Sequence, residues 1–241
     1  MNVKFLGCGP IRALWLASLI ACVLSTQIAN ATIITSWTFE SPNTPADATA
    51  AVYPNLIAPA VGTGNAGGAH VSAASVWSTP VGNGSTESFS SNNWAVGDYY
   101  EFQTNTLLFN DIKVTWDHTS SNTGPRDFKL AYSIDGTTFT DVAPGYSVLP
   151  NATPNSWTSG TALPIHTYFR DLSSVSSIEN AATVYFRLIS TSTVSANGGV
   201  VAAGGTSRVD NFTVEGTFIP EPSTYVLLGC GLALACWMRR K

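Results

Sequence analysis

The sequence is poor in charge, and its central part has no cysteine. Only 11% of the 241 residues are charged, and the four cysteines lie near the two ends, at Cys8, Cys22, Cys230 and Cys236. The middle of the chain therefore has neither a disulfide nor a cysteine metal site, and its stability must come from its own hydrophobic core. Few charges together with abundant Ser, Thr, Asn and Gly favour a β-rich extracellular domain over a helical cytosolic enzyme.

The signatures of common catalytic sites are also missing. None of the three histidines stands in an H-x-x-x-H or H-E-x-x-H spacing, and there is neither a G-x-S-x-G elbow nor a P-loop. Glycoside hydrolysis needs two placed carboxylates. Asp98 with Glu101, or Asp111 with Asp117, would supply such a pair, but this many acids offer pairs by chance. We therefore expect a protein that is not an enzyme.

Basic residues are scarce in the central part. From Thr32 to Ile219 the chain has six basic and fourteen acidic residues, which gives a formal charge of about −8. Nucleic-acid binding needs a basic surface, so this balance argues against nucleic acid as a partner.

The central part lacks a sustained 3.6-residue period and instead alternates with a period of two, which is typical of half-buried strands. Ile112, Val114 and Trp116 alternate with polar residues, and Asp135-Gly136 supplies the positive-φ turn of a hairpin. Val184 to Ile189 is almost continuously apolar, which predicts a strand covered on both faces. Many short strands between turn residues predict an all-β fold, an antiparallel β-sandwich of jelly-roll-like form.

Two stretches lack a clear strand pattern. Residues 41–84 are rich in Pro, Ala, Gly, Asn and Ser and are interpreted as long loops with short strands. Within them, Gly62 to Gly68 is expected to be irregular, because glycine loses much backbone entropy on ordering. Leu172 to Ala182 is the best helical candidate, although it is short and rich in serine.

The N-terminus has the parts of a secretory signal peptide. Lys4 and Arg12 form a positive region, residues 13–24 an apolar one, and Ala29-Asn30-Ala31 a cleavage site of the A-x-A type. Signal peptidase is therefore an expected partner, and cleavage is expected after Ala31. A lipoprotein signal around Cys22 is the alternative, but apolar residues follow that cysteine.

The last residues have three parts in a fixed order. Pro220-Glu221-Pro222 ends the folded part, the run from Ser223 to Met238 carries no charge, and Arg239-Arg240-Lys241 closes the sequence. As a helix the run would span roughly 24 Å, somewhat less than the ~30 Å hydrocarbon core of a bilayer. Local thinning and snorkelling of the cations close such a gap, and the cations favour the cytoplasmic side. We expect a C-terminal transmembrane helix.

This tail resembles the PEP-CTERM sorting signal of Gram-negative bacteria, which a membrane protease of the exosortase type recognises. The resemblance implies export, transient anchoring in the inner membrane, cleavage near Pro220-Glu221-Pro222, and release to the cell surface or extracellular matrix. It also implies an organism that makes exopolysaccharide. The expected organisation is a signal peptide, a β-sandwich ectodomain and a sorting signal, over residues 1–31, 32–218 and 219–241.

Two short motifs resemble the paired signatures of jelly-roll carbohydrate-binding modules. They are Trp37-Thr38-Phe39-Glu40 near the start of the central part and Arg208-Val209-Asp210-Asn211-Phe212 near its end. In those modules an early and a late acidic residue help to hold a structural calcium ion, which prefers carboxylate and carbonyl oxygens. The resemblance implies Glu40 and Asp210 as calcium ligands. The alternative is a solvated Glu40 and an Asp210 that pairs with Arg208 or caps a turn.

Polar residues are concentrated between two predicted strands, from Asp117 to Asp127. Binding residues often lie in such loops, so Asp117, His118, Arg126 and Asp127 are candidate ligand-binding residues. Trp94 is a candidate platform on which a sugar ring could stack. The alternatives are a solvated loop and an aromatic residue that packs in the core.

These observations predict a non-catalytic, exported surface or matrix protein, processed by an exosortase, whose sandwich binds extracellular polysaccharide. A glycan-active lyase or hydrolase on the same scaffold is one alternative. A purely structural matrix or adhesion protein is the other.

Overall fold

The computed structural model describes residues 31–219, which form two antiparallel β-sheets packed face to face. The antiparallel β-sandwich predicted from the sequence is thus confirmed. The cleavage motif up to Asn30, the sorting motif from Pro220, the uncharged run and the basic tail lie outside the described residues. The interpretation of those segments stays a prediction.

Thirteen strands make up the described part, together with two single-turn 3-10 helices at residues 164–166 and 176–178. The strands are β1 Ala31–Trp37, β2 Ala48–Thr49, β3 Val52–Ile57, β4 Gly64–Ala69, β5 Val76–Ser78, β6 Phe89–Ser91, β7 Tyr99–Thr104, β8 Phe109–Ser120, β9 Asp127–Ser133, β10 Thr140–Ser147, β11 Thr167–Asp171, β12 Val184–Ser190 and β13 Ser207–Phe218.

The strands divide into a seven-stranded and a six-stranded sheet. The first has the order β11-β8-β13-β6-β5-β2, with β1 also paired to β13, and the second has the order β10-β9-β12-β7-β4-β3. β13 has β8 along one side, and β6 and β1 follow each other along its other side. Because Ala31 pairs with Thr217, the described chain enters and leaves the sandwich at the same end.

The period of two in the sequence corresponds to alternating burial in the strands. In β8, Ile112, Val114 and Trp116 are fully buried between the sheets, as predicted. β12 differs from its prediction, because Tyr185 and Arg187 on its other face are only partly buried. The expectation of a strand covered on both faces is therefore wrong.

The glycine-rich stretch is largely a strand rather than a loop. Gly64–Ala69 forms β4, which lies between β3 and β7. A Cβ atom at Gly68 would lie 2.7 Å from the ring of Trp77 and 2.7 Å from the carbonyl oxygen of Tyr99. The lack of a side chain lets the Trp77 ring pack directly on the backbone. This close approach explains why glycine is used here despite its entropic cost.

Helical structure is scarce in the described residues. The stretch from Leu172 to Ala182 contains only the 3-10 turn Ser176–Ile178, so the helix considered for it is wrong. Between residues 31 and 219, no helix is long and apolar enough to cross a membrane.

Aromatic rings fill the space between the sheets. Trp37, Trp77 and Trp116 are fully buried. Phe102 of β7 stacks on Phe212 of β13 across the sandwich, with ring centroids 3.7 Å apart. Aromatic pairs contribute about 0.5–1.5 kcal/mol each beyond the area that they bury. These contacts join the two sheets without the help of a disulfide.

A chain of buried hydrogen bonds runs beside these rings. Nε2 of His118 lies 2.7 Å from Oγ of Ser207, and Nδ1 lies 2.9 Å from the hydroxyl of Tyr146. The hydroxyl of Tyr100 donates to the carbonyl oxygen of Ser207 at 2.8 Å. Burial lowers the pKa of His118 to about 3, and nearby His166 adds to the effect, so the imidazole is neutral at pH 7.

Candidate functional site

The outer face of the six-stranded sheet carries an ordered set of polar and aromatic side chains, and we call it the six-stranded face. Its residues form three rows across the strands, because directly paired residues point to the same side. The rows are Asn65, Gln103, Tyr185 and Ser133; then Gly67, Glu101, Arg187, Ala131 and Asp141; then Ala69, Tyr99, Ile189 and Lys129.

Arg187 is fixed at the centre of this face. Its guanidinium lies between two aromatic rings, 3.9 Å from the centroid of Tyr99 and 3.8 Å from that of Phe139. Its Nε donates to Oε2 of Glu101 at 2.6 Å, and Asn55 of β3 donates to Oε1. The Glu101 side chain is only 8% exposed. The two charges therefore neutralise each other within a rigid, closely packed group.

The turn between β9 and β10 packs against the six-stranded face. Oδ1 of Asp135 accepts hydrogen bonds from the amides of Thr137 and Thr138 at 2.8 Å each, and these bonds hold the pKa of Asp135 well below its usual range. Gly136 has a φ of 73°, as the Asp-Gly pair predicts. A Cβ at Gly136 would lie 3.0 Å from the Tyr185 ring, so its backbone covers part of that ring.

A shallow polar cleft of about 140 Å³ opens at one end of this face. Its lining consists mostly of amide and hydroxyl groups, from Thr63, Asn65, Gln103, Thr104, Asn105 and Thr183. Pockets that enclose a small molecule usually measure roughly 300–1,000 Å³. A ligand here would therefore lie across the surface rather than inside it.

A second polar region lies on the outer face of the seven-stranded sheet. Asp117 of β8 and Asp210 of β13 are paired directly opposite each other, and both are buried. Oδ2 of Asp210 accepts from the amide of Asn83 at 2.9 Å and from the hydroxyl of Ser85 at 2.6 Å. The buried carboxylate thus holds the loop of residues 82–87.

Glu40 contacts the same loop. Its Oε1 accepts from the amide of Glu87 at 2.8 Å, and its Oε2 accepts from the hydroxyl of Thr86 at 2.5 Å. Both predicted calcium ligands, Glu40 and Asp210, are therefore bound to one loop. We call Glu40, Asp117 and Asp210 the acidic cluster.

The carboxylates of the acidic cluster accept hydrogen bonds from neighbouring amide and hydroxyl groups, and no cationic side chain of the described residues pairs with them. Burial raises the pKa of Asp210 to about 7, and neighbouring Asp117 adds to the rise. None of the ion pairs within residues 31–219 involves the cluster. The same residues contain no group of three or more His, Cys, Asp or Glu placed to hold a metal ion. Calcium would therefore take most of its six to eight oxygens from hydroxyls and carbonyls near the loop of residues 82–87.

The residues predicted to form a ligand-binding loop do not form one. β8 extends to Ser120, so Asp117 and His118 belong to a strand, and His118 points into the core. Arg126 and Asp127 pair with each other, with Nε and Oδ1 2.9 Å apart. Arg126, Ser147 and Ser192 all donate to Asp127, and these bonds lower its pKa to about 2. Both oxygens of the Asp127 carboxylate therefore accept hydrogen bonds from neighbouring side chains.

Trp94 does not present a free ring. It is 7% exposed, and its Nε1 donates to the carbonyl oxygen of Ser91 at 3.0 Å. Its ring packs against His70, Tyr100 and Phe128 at centroid distances of 4.3, 5.0 and 5.5 Å. The prediction that Trp94 stacks a sugar is corrected, because the ring is enclosed by these core contacts.

Of the four acids considered for catalysis, Asp111 lies near the start of β8, and the other three lie in three separate places. Asp98 accepts from the amides of Val71 and Ala95 at the edge of the core. Glu101 lies on the six-stranded face, and Asp117 lies in the acidic cluster on the other sheet. They do not line one groove, so the geometry lends no support to the hydrolase or lyase alternative.

The six-stranded face has a signal in the sequence that the predictions from the sequence missed. In β7, Tyr99, Glu101 and Gln103 alternate with core residues, and in β12 Tyr185 and Arg187 do the same. Two strands with aromatic and polar residues at every second position indicate that the outer face of this sheet is polar and aromatic. The apolar appearance of β12 concealed this pattern.

Comparisons with known proteins show resemblance at the level of solved structures alone. No family model and no curated protein matches the chain. The K1 cleaved adhesin domain of Lys-gingipain from Porphyromonas gingivalis matches with 12% identity and a TM-score of 0.37, over 59% of this chain and 83% of that one. A family 35 carbohydrate-binding module from Clostridium thermocellum matches with 18% identity and a TM-score of 0.35, over 58% and 86%. A CBM35 from Paenibacillus barcinonensis matches with 15% identity and a TM-score of 0.32, over 58% and 91%. These values are too low to carry a functional argument.

The ion pair on the six-stranded face leads to a stability prediction. Arg187→Ala leaves Glu101 buried without its cation and should lower the free energy of unfolding by about 2–3 kcal/mol. Lys129→Ala is the matched control, since Lys129 pairs with Asp141 at 2.8 Å in a more exposed position. It should cost about 0–1 kcal/mol. Urea denaturation followed by tryptophan fluorescence measures both, and equal losses would contradict the central role of Arg187.

Proposed function

We propose that this chain is an exported, non-catalytic surface protein whose β-sandwich binds a neutral polysaccharide on the six-stranded face. The observation that carries the proposal is the fixed group of Arg187, Glu101 and Tyr99. It gives a sheet face that is rigid before any ligand arrives, and preorganisation lowers the entropic cost of binding.

The chemistry of the face favours an uncharged ligand. Its charges are paired internally, as Arg187 with Glu101 and Lys129 with Asp141. The groups left for a ligand near the cleft are the amides of Asn65 and Gln103 and the partly exposed ring of Tyr185. Amides bind sugar hydroxyls as both donors and acceptors, and aromatic rings cover the apolar face of a pyranose. The acidic balance of the described part, about −8 from Thr32 to Ile219, disfavours polyanionic glycans.

Export and sorting complete the proposal. The signal peptide ending at Ala31 would take the chain across the inner membrane, and an exosortase would cleave near Pro220-Glu221-Pro222. A polysaccharide-binding sandwich suits release to the cell surface or the extracellular matrix of a Gram-negative bacterium. This part rests on the sequence of the two ends.

Glycan binding can be tested with matched variants. Purified protein should bind neutral polysaccharides on a glycan array, and Gln103→Ala with Tyr185→Ala should weaken binding about tenfold, or ~1.4 kcal/mol. Phe169→Ala is the control, because Phe169 is a half-exposed ring on the outer face of the other sheet, in β11. Equal loss in the Phe169 variant would place binding elsewhere. Absence of any bound glycan would favour the purely structural or adhesive alternative.

We further propose that a structural calcium ion binds at the acidic cluster. Without metal, burial favours the protonated form of Asp210, whose pKa is raised from 3.8 to about 7 in the folded state. Asp210 then contributes stability that is fully present below about pH 4 and is lost as the pH rises through 7. Calcium needs the ionised carboxylate, so a bound ion would oppose this loss.

Melting curves at about pH 8 test the calcium site. About 1 mM calcium should raise the melting temperature by roughly 5–10 °C relative to EDTA. Asp210→Asn should abolish the difference, whereas Asp141→Asn, which changes an exposed acid on the other sheet, should preserve it. Identical melting with calcium and with EDTA would exclude the ion.

The sorting proposal predicts a change of size and location in cells. With the exosortase present, the protein should be shortened and should leave the inner membrane. Replacement of Pro220 and Pro222 by alanine, or removal of the exosortase, should leave a longer, membrane-bound form, as shown by fractionation and immunoblotting. An unchanged size and location in cells without the exosortase would rule the proposal out.

A further inference from the structure

One end of the sandwich carries a group of apolar residues that are exposed or partly buried, Leu107, Leu108, Phe109, Phe218 and Ile219, which we call the apolar rim. Leu107, Leu108 and Phe218 are 48%, 43% and 45% exposed. Phe109 and Phe218 pair across β8 and β13, and their rings are in edge contact at 5.7 Å. Contiguous exposed apolar groups on a folded domain commonly mark an interaction surface.

The leucines of the rim are held rigidly outward. The amide of Phe109 donates to the carbonyl oxygen of Thr106 at 2.9 Å, which closes a tight turn with Leu107 and Leu108 at its tip. Thr106 is fully buried, and Oδ1 of Asn180 accepts from the amide of Leu108. The turn therefore cannot fold its leucines back into the core.

Leu108 stands where the backbone would favour another residue. Its φ is 66°, in the left-handed region that glycine or asparagine adopts at lower cost. A leucine that is strained and also half exposed stabilises neither the turn nor the core. Its side chain is therefore better explained by a contact outside the folded domain.

The rim lies next to the point where the described chain leaves the sandwich. The amide of Ile219 donates to the carbonyl oxygen of Leu108 at 2.8 Å. The uncharged run begins at Ser223, four residues after Ile219. Four extended residues span at most about 14 Å. An uncharged run inserted in a bilayer would therefore keep the rim close to the headgroup layer.

We propose that the apolar rim docks on the membrane surface while the tail anchors the chain, with Leu107, Leu108 and Phe218 entering the interface between headgroups and acyl chains. This inference rests on the membrane anchoring that forms part of the proposed function. The charged residues beside the rim are mainly acidic: the amide of Asp111 donates to Glu179, and Glu215 of β13 lies opposite Lys113 of β8. Zwitterionic lipids are therefore the expected surface rather than anionic ones.

Two single-cysteine proteins test the contact in the full chain. All four native cysteines are replaced by alanine, and an environment-sensitive fluorophore is attached at Leu107→Cys or at Val200→Cys. Val200 is the matched control, because it is apolar, 76% exposed and in the loop between β12 and β13, at the opposite end of the sandwich. Each protein is reconstituted into phosphatidylcholine vesicles that carry a quencher on the acyl chains, and flotation is measured first.

We expect co-flotation of both proteins and quenching at residue 107 about threefold stronger than at residue 200, because interfacial groups lie roughly 5–10 Å deep. Leu108→Gly with Phe218→Ser should reduce quenching at residue 107 to the control level without lowering the melting temperature, since glycine relieves the strained turn.

Co-flotation with equal quenching at both positions would overturn the docking proposal alone. If the proteins do not float with the vesicles, the membrane anchoring on which the docking proposal rests is wrong. Glycan binding is tested independently by the glycan array. A fluorophore at residue 107 that becomes less solvent-exposed as the protein concentration rises, without vesicles, would indicate that the rim contacts a second copy of the chain. That result would also overturn the proposal.

Discussion

The pairing of β8 with β13 is the constraint on which the rest of the structure depends. Both strands are twelve residues long, and they form the middle of the seven-stranded sheet. At one end of the pair His118 meets Ser207 in the buried hydrogen-bond network. One residue along from His118, on the other face of the sheet, Asp117 lies opposite Asp210, and at the far end of the pair Phe109 lies opposite Phe218. The buried polar network, the acidic cluster and the apolar rim are thus three positions along a single ladder. A shift of one residue in its register would move all three at once.

The two outer faces of the sandwich treat charge in different ways. On the six-stranded face, Arg187 and Glu101 form a nearly closed pair between aromatic rings. On the seven-stranded face, Asp210 is fully buried with donors from the loop of residues 82–87 but without a cation among the described residues. The charges of the first face are therefore paired within the protein, whereas the buried carboxylate of the second face is held by hydrogen bonds alone.

The sequence was sufficient for the class of fold, because alternation of burial in β8 and β9 is a local property that the residues themselves record. It was insufficient for β4, where Gly67 and Gly68 are used because backbone and side-chain groups of other strands approach closely, such as Asn55 of β3 and Trp77 of β5. A resemblance in two motifs named Glu40 and Asp210 together, but it did not indicate the loop of residues 82–87 that both side chains contact. The position of Asp117 opposite Asp210 needed the register of two strands about 90 residues apart in the sequence. The six-stranded face was overlooked because it is shared by six strands, and no single segment contains more than three of its residues.

Because β1 and β13 lie side by side and both ends of the described chain emerge at one end, the sandwich also has mechanical consequences. Along its length β13 is hydrogen-bonded to β8 on one side and to β6 and β1 on the other. A pull applied to Ile219 along the strand would load many of these hydrogen bonds together in shear, rather than opening them one after another. A strand hydrogen-bonded along both of its sides is thus the part of the sandwich best suited to carry a load applied along the chain.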